Sequence, residues 1–104
     1  MLKIEHLGIA VKSLAAGNAL FEKLLGTPHY KIEEVASEGV LTSFFQIGES
    51  KIELLEATKS DSPIAKFIEK RGEGIHHIAF DVADIHRRWH NRLYCSALLP
   101  QRRP

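Results

Sequence analysis

The sequence predicts an α+β fold in which a strand–helix–strand–strand–strand unit is followed by the beginning of a second one. Three observations lead to this prediction. Strand-like runs of alternating apolar and polar residues recur along the chain, a run with helical spacing follows the first of them, and a segment near residue 77 repeats one near the N-terminus. At 104 residues the chain is long enough for one domain with a single hydrophobic core.

The N-terminal quarter predicts the first strand and the first helix. Residues 2–11 alternate and are rich in Ile, Leu and Val, as in a half-buried strand. Ser13 can cap a helix, and Gly26 stands where a helix C-terminus favours a left-handed residue. We expect the apolar face of this helix to consist of Leu14, Leu20, Phe21, Leu24 and Leu25.

Three further strand-like runs follow the helix, at residues 30–35, 40–47 and 51–57. The breaks between them contain Gly39 and Gly48, and both are plausible hairpin connections. A short second helix is predicted after these strands. Ser62 can cap it with Pro63 at its first position, and its inward residues would be Ile64, Phe67 and Ile68.

A repeat relates residues 6–11 to residues 77–82, because both read His, aliphatic, small, apolar, any residue, Val. The second copy lies in a predicted strand at 75–82, and Asp84 could cap a helix after it. About 20 residues remain beyond Asp84, too few for a helix and three strands, and 93–99 is the only further strand-like run. The expected parts are a first βαβββ module at 1–58, a linker helix at 59–73 and an incomplete second module with an arginine-rich tail at 74–104.

Overall composition points to an ordinary globular protein. The net charge is +1 with His neutral, which gives no general attraction to nucleic acid or to a membrane surface. No apolar run approaches the roughly 20 residues that cross a bilayer, so we expect no membrane partner. The single cysteine, Cys95, has no partner for an internal disulfide, and we expect a cytoplasmic protein.

The tail differs in composition from the rest of the chain. Residues 85–104 contain five of the six arginines and none of the 13 acidic residues. One interpretation is a basic arm for nucleic acid, which the near absence of interleaved aromatic residues disfavours. The interpretation that we prefer is that the ending is not the original one, as after a frameshift or a gene truncation.

Three residues could form a metal site: His6, Glu53 and His77, each in the middle of a predicted strand. Polar side chains that face inward are costly unless they are paired or bound to a metal, and imidazole with carboxylate is a usual ligand set for divalent ions. A hydrogen-bonded core histidine or a solvated strand glutamate would look the same in sequence. His6 and His77 occupy the same place in the repeat, which favours a site.

Four segments carry a resemblance to a known family: 6–11 (HLGIAV), 51–56 (KIELLE), 61–67 (DSPIAKF) and 74–80 (GIHHIAF). In order and spacing they resemble the methylmalonyl-CoA epimerases of the glyoxalase, or vicinal-oxygen-chelate, superfamily. The resemblance covers residues 2 to about 85. The strand segments are common to the superfamily, whereas the segment at 61–67 is more particular to the epimerases.

The resemblance implies glyoxalase-like βαβββ modules that curl around a divalent ion, which could be Co, Mn, Zn, Ni or Fe. It implies ligands at His6, Glu53 and His77, with His76 expected to face the other side of its strand. It also implies a small-molecule acyl-CoA substrate, for which Gln46 could line the pocket. The alternative for Gln46 is a polar side chain near a turn.

The expected reaction interconverts (R)- and (S)-methylmalonyl-CoA by abstraction and return of an α-proton. The family has a fourth ligand, a glutamate on its last strand, and no acidic residue follows Asp84 here. A second family carboxylate lies on the third strand, where this chain has Thr42. The catalytic residues are therefore unknown, and we expect impaired activity.

Two other functions and one assembly state also follow from the sequence. The function could instead be that of another superfamily metalloenzyme, either a glyoxalase-type lyase or a dioxygenase. A metal-free small-molecule binding module is the alternative outside the enzymes. A homodimer is expected, because pairing with a second copy would cover sheet edges that an incomplete second module leaves exposed.

Overall fold

The computed structural model describes residues 3–81 and the backbone of a last strand at 93–97. The helix expected after Asp84, and the rest of the arginine-rich tail, lie outside the described residues. Within them the elements run in the following order: β1 Lys3–Ala10, α1 Leu14–Leu25, β2 Lys31–Val35, β3 Val40–Ile47, β4 Ser50–Ala57, α2 Pro63–Arg71, β5 Gly74–Asp81 and β6 Leu93–Ala97.

The six strands form one mixed sheet in the order β2-β3-β4-β1-β5-β6. The strand β1 lies inside the sheet, parallel to β4 on one side and antiparallel to β5 on the other. The pairs β2–β3 and β3–β4 are antiparallel hairpins. The predicted α+β fold with a βαβββ module is thereby confirmed, and β5 joins the edge of that module through β1.

Both predicted helices begin and end where the capping residues indicate. The Ser13 side chain accepts a hydrogen bond from the backbone N–H of Ala16, and Gly26 ends α1 in the left-handed conformation at φ 75°. In α2 the Ser62 side chain accepts from the backbone N–H of Ala65. No helix within residues 3–81 is both long and apolar enough to cross a membrane.

The first helix covers one face of the sheet, but with a narrower apolar face than expected. Leu14 is buried, and Phe21 and Leu25 pack against the same cluster. Leu20 and Leu24 were expected to face inward, and this is wrong: they are 55% and 65% exposed. Inward positions on a helix recur every three to four residues, and the series through residues 14, 21 and 25 excludes 20 and 24.

The second helix packs on the opposite face of the sheet. Ile64 is buried against Ala10, Val40 and Leu55, and Phe67 and Ile68 pack on the same cluster, as predicted. Leu55 lies two residues after Glu53 on β4, and alternation places both side chains on one face. The face that α2 partly covers is therefore the face that carries the candidate metal ligands.

Candidate metal centre

Three neighbouring strands bring His6, Glu53 and His77 together. The Nε2 atoms of the two histidines lie 3.0 Å apart, and a Glu53 carboxylate oxygen lies 3.5 Å from His6 Nδ1. Each residue offers one ligand atom within 4.8 Å of the others. The three residues named from the sequence therefore converge, although 71 residues separate the two histidines along the chain.

Gly8 is the centre of this arrangement in the sheet. It is paired with Glu53 in the parallel ladder to β4 and with His77 in the antiparallel ladder to β5. A Cβ atom at residue 8 would lie 2.2–2.6 Å from three atoms of the His77 ring. The imidazole therefore occupies the space that any larger side chain would need. The repeat in the sequence indicated a small residue at this position, but it did not indicate that the residue makes room for the His77 ring.

The repeat now has a structural explanation. In the pairing of β1 with β5, His6 is opposite Ala79 and Gly8 is opposite His77. Each histidine thus lies across from the small residue of the other copy. An approximate local two-fold axis relates the two copies of the motif. The small third position of the motif gives the opposing imidazole room to lie over the sheet.

A β-bulge on β1 adds a carboxylate that the sequence did not identify. The ladder to β5 pairs Ile4 with Phe80 and His6 with Ala79, so Glu5 is the extra residue. Its carboxylate lies 2.6 Å from His6 Nδ1 and 3.0 Å from the Lys51 ammonium. Strict alternation would have placed Glu5 among the apolar side chains under α1.

A second bulge lies on β5, immediately before the other candidate ligand. The ladder pairs Gly8 with His77 and Ile9 with Ile75, so His76 is the extra residue. His76 was expected to face away from His77, and this is wrong: their Nδ1 atoms lie 3.0 Å apart. The alternation rule fails here because a bulge interrupts the pleat.

Burial sets the protonation of the site. Burial, with smaller contributions from His6 and His76, lowers the pKa of the His77 imidazole to about 4. Burial raises the pKa of the Glu53 carboxyl, and the charge of His6 opposes that rise while that of Glu5 adds to it. At neutral pH His77 is therefore neutral with a lone pair to offer, and burial makes the Glu53 carboxyl harder to ionise than an exposed one.

Glu5 is in a different electrostatic situation. Burial disfavours the charge of its carboxylate, but hydrogen bonds with His6 and Lys51 outweigh burial and lower the pKa of Glu5. The same pair raises the pKa of Lys51, chiefly through the hydrogen bond to Glu5. This carboxylate is held ionised beside His6, and it is a poor proton acceptor.

The two other residues that the sequence singled out, Thr42 and Gln46, lie on β3. Gln46 lies at the β3–β4 turn, where its amide nitrogen donates to the carbonyl oxygens of Gly48 and Ser50. Thr42 is buried on β3, paired with Leu55 on one side and with Glu33 on the other. A substrate-binding role for Gln46 stays a prediction.

The donor set fits a divalent ion. Nitrogen and carboxylate donors bind such ions at about 2.0–2.2 Å, so two donors on one ion lie about 3 Å or more from each other. The 3.0 Å between the two Nε2 atoms is at the short end of that range. Two imidazoles and one carboxylate suit borderline metals such as Zn, Co, Ni or Fe(II).

Comparisons with known proteins show the family to which the chain is similar. The model of the Glyoxalase/Bleomycin resistance protein/Dioxygenase superfamily matches residues 5–91. The uncharacterized protein YqjC of Bacillus subtilis is 42% identical over 80 residues, which are 77% of this chain and 57% of YqjC. An ethylmalonyl-CoA/methylmalonyl-CoA epimerase of Cereibacter sphaeroides is 38% identical over 84 residues, which are 80% of this chain and 63% of that enzyme.

Among solved structures, a variant of the Streptomyces coelicolor methylmalonyl-CoA epimerase in complex with 2-nitronate-propionyl-CoA superposes with a TM-score of 0.73. It is 36% identical, and the match covers 80% of this chain and 64% of that one. The chain thus spans less than two thirds of the length of these relatives. The family match, with the strand order and the converging histidines, establishes that the chain belongs to the glyoxalase/bleomycin resistance protein/dioxygenase superfamily.

Proposed function

We propose that His6, Glu53 and His77 bind a divalent metal ion and that the chain acts on an acyl-CoA thioester in the manner of a methylmalonyl-CoA epimerase. One observation carries the proposal: three ligand atoms from three different strands converge within 4.8 Å on one face of the sheet. A neutral imidazole at His77 supports it, because ligands must be free of protons to bind a metal.

The relatives support the choice of substrate class. The Cereibacter protein is named an ethylmalonyl-CoA/methylmalonyl-CoA epimerase, and the Streptomyces structure holds an acyl-CoA analogue. In this chain a cleft of about 700 Å³ lies between α2 and β5, beside His76. The cationic side chains of Lys66, Lys70 and Arg71 line it, together with the acidic Glu69. This cleft suits the phosphates of a coenzyme A.

The chemistry to be explained is the loss of a proton from a carbon beside a thioester. A divalent ion in this site would act as a Lewis acid toward the thioester and carboxylate oxygens. His6 and His77 would hold it through Nε2, and Glu53 would supply the compensating negative charge. The protein has then only to orient the substrate and to exchange one proton at its α-carbon.

We further propose Glu33 as the group that exchanges that proton. Thr42 cannot act as a base at neutral pH, but Glu33 is paired with it on the adjacent strand β2 and so shares its face of the sheet. The negative charge of Glu33 acts on Glu53, after the larger effects of burial, His6, Glu5 and Lys51. Its ion pair with Lys31 spans 3.9 Å between partly exposed side chains, and such a pair leaves the carboxylate available.

The test is α-proton exchange on methylmalonyl-CoA in deuterated water, followed by mass spectrometry, with Co²⁺ or Mn²⁺ added to chelator-treated protein. We expect metal-dependent deuterium uptake that His77→Ala abolishes. Exchange needs one proton carrier, whereas inversion needs two on opposite faces, so exchange should exceed epimerisation. Rapid epimerisation by this chain would contradict the impairment that we expect.

The assignment of Glu33 has a matched control on the same strand. Glu34 is the next residue of β2, faces the other side of the sheet, and is likewise exposed. Glu33→Gln should slow deuterium uptake about 100-fold or more, within the range of general acid–base catalysis, while Glu34→Gln should not change it. Equal rates in the two variants would exclude Glu33 as the proton carrier.

Metal binding also separates the alternatives. Absence of any bound ion in titrations with Zn²⁺, Co²⁺, Ni²⁺, Mn²⁺ and Fe²⁺ would favour a metal-free binding module. A bound ion without α-proton exchange would favour another superfamily chemistry, such as that of a lyase or a dioxygenase.

We place the enzyme in the cytoplasm, as its composition predicts.

A homodimer is also part of the proposal. The strand β2 lies at one edge of the sheet, and each of its five residues is exposed. Ile32 and Val35 are among the exposed large apolar residues. Pairing with a second copy would cover this edge and its unpaired backbone groups. A monomeric mass by light scattering at micromolar concentration would contradict it.

A further inference from the structure

The two candidate ligand histidines share a feature of the backbone that the proposed function does not use. Each follows the extra residue of a β-bulge: Glu5 precedes His6, and His76 precedes His77. In a regular strand those two residues would face the side opposite to the ligands. The bulges return them to the ligand face, where each contacts the Nδ1 atom of its neighbour.

The two nitrogens of each imidazole have different partners. The Nε2 atoms of His6 and His77 face one another at 3.0 Å, where an ion would bind. The Nδ1 atom of His6 faces a Glu5 oxygen at 2.6 Å, closer than the Glu53 oxygen at 3.5 Å, and the Nδ1 atom of His77 faces His76 Nδ1 at 3.0 Å. Which nitrogen carries the proton is set by the partner of the other nitrogen.

We propose that Glu5 and His76 are positioning residues that fix the tautomer and the orientation of His6 and His77 for coordination through Nε2. Glu5 accepts a hydrogen bond from the protonated Nδ1 of His6. The Nδ1 atom of His76 accepts a hydrogen bond from the protonated Nδ1 of His77, and the proton of His76 stays on its Nε2. This inference rests on the proposed metal site. It adds the groups that hold each ligand imidazole in one orientation.

Glu5 is itself held in place, which a positioning residue must be. Its side chain is 9% exposed, and its second oxygen receives the Lys51 ammonium at 3.0 Å. Lys51 is the residue paired with His6 in the parallel ladder to β4. A carboxylate held at both oxygens cannot rotate away from the imidazole. The chain of contacts therefore runs from Lys51 to Glu5, from Glu5 to His6, and from His6 to the site proposed for the ion.

The two positioning residues should differ in strength. Glu5 is a charged acceptor, and hydrogen bonds to charged groups are shorter and roughly twice as strong as neutral ones. His76 is a neutral acceptor whose ring lies at right angles to that of Phe67, with the centroids 4.9 Å apart. Outer partners of metal-bound histidines typically contribute about 10–100-fold in affinity, and we expect Glu5 near the top and His76 near the bottom of that range.

Two measurements on the full chain test the proposal. Nitrogen NMR of chelator-treated protein should show His6 with its proton on Nδ1, and in Glu5→Ala it should show protonation mainly on Nε2. Calorimetric titration with Zn²⁺ should show affinity lower by about 100-fold in Glu5→Ala. His76→Phe should lower it by about 10-fold. Glu5→Gln should fall between wild type and Glu5→Ala, because an amide oxygen still accepts the Nδ1 proton.

The matched control is Glu49→Gln, which removes an exposed carboxylate at the β3–β4 turn and should leave both measurements unchanged. If Glu5→Ala does not fold, Glu5→Gln still gives a decision, since its tautomer and affinity should both shift from wild type. Wild-type tautomer and Zn²⁺ affinity in a folded Glu5 variant would overturn the inference. Failure of wild type to bind Zn²⁺ would instead overturn the metal site, and the tautomer in metal-free protein would still decide the role of Glu5.

Discussion

The two halves of the candidate site share a backbone but not a chemistry. The β1 half and the β5 half each present a histidine, a small residue two positions later and a bulge one position earlier. In the β1 half the bulge residue is a buried glutamate locked by Lys51, and in the β5 half it is a second histidine beside Phe67. The sheet therefore determines where the imidazoles lie, and the bulge residues determine what their second nitrogens contact.

The largest effect should come from removing a ligand of either half. His6→Ala, His77→Ala and Glu53→Ala should each weaken Zn²⁺ binding by more than about 100-fold, since even outer partners account for 10–100-fold. Calorimetry measures this loss. Comparable losses in the two histidine variants would show that both halves contribute to one site, and a loss confined to one half would break the comparison.

An overpacking change should disturb the β5 half alone. In Gly8→Ala the new methyl group would lie 2.2–2.6 Å from the His77 ring, so the ring must move. We expect a loss of about 1–3 kcal/mol in the free energy of unfolding, as for overpacking elsewhere, and weaker metal binding. Denaturant unfolding and calorimetry measure the two effects.

The control for that change is Gly74→Ala. No atom lies within 4 Å of the Cβ position at residue 74, so neither stability nor affinity should fall. Equal behaviour of the two variants would show that His77 is free to rotate, and that Gly8 has no part in forming the site.

A pH-dependent effect should also distinguish the halves. The pKa of His77 is about 4 in the folded chain and about 6.5 when exposed, so the unfolded state takes up this proton first as the pH falls. The stability associated with neutral His77 is full above pH 6.5 and is lost progressively toward pH 4. Glu53, whose pKa is raised, acts in the opposite direction as the pH rises above 4.5.

Urea unfolding of metal-free protein between pH 4 and pH 7 tests this prediction. The free energy of unfolding of wild type minus that of His77→Gln should decrease as the pH falls through this window. Subtraction removes the contribution of Glu53 to first order. A difference that does not change with pH would show that His77 is not desolvated in the folded chain.

The smallest effect should come from α1, away from both halves. Leu24 is 65% exposed, and Leu24→Gln should change the free energy of unfolding by no more than about 0.5 kcal/mol. Leu14 is 4% exposed, and Leu14→Ala on the same helix should cost about 2–5 kcal/mol. Thermal or denaturant unfolding separates them, and a large loss in Leu24→Gln would indicate that a partner covers this surface.

Much of the fold could be predicted because its signals are local. Ser13, Gly26 and Ser62 act within one helical turn, and they placed both helices correctly. Alternation placed β3 and β4 to within one residue. The exposure of Leu20 and Leu24 could not be read in the same way, since several apolar faces fit one leucine-rich helix and tertiary packing selects among them.

The candidate site was predicted only in part. The contacts that were missed have a physical cause in the β-bulges. The convergence of His6, Glu53 and His77 was predicted, because a repeated histidine and a strand carboxylate can be recognised in the sequence. The contacts of Glu5 and His76 were not, because a bulge reverses the orientation of one residue without a composition signal. The one available hint was a conflict: alternation would have placed the charge of Glu5 beneath α1.

The pairing of β1 with β5 has a consequence for how the protein is made. It joins residues about 70 positions apart, and such contacts form late because the intervening chain must first be ordered. During synthesis, His6 leaves the ribosome long before its partner His77 exists. If the proposed metal site forms, ion binding by both histidines would have to await this closure, and it would report that the longest-range pairing of the described sheet is complete.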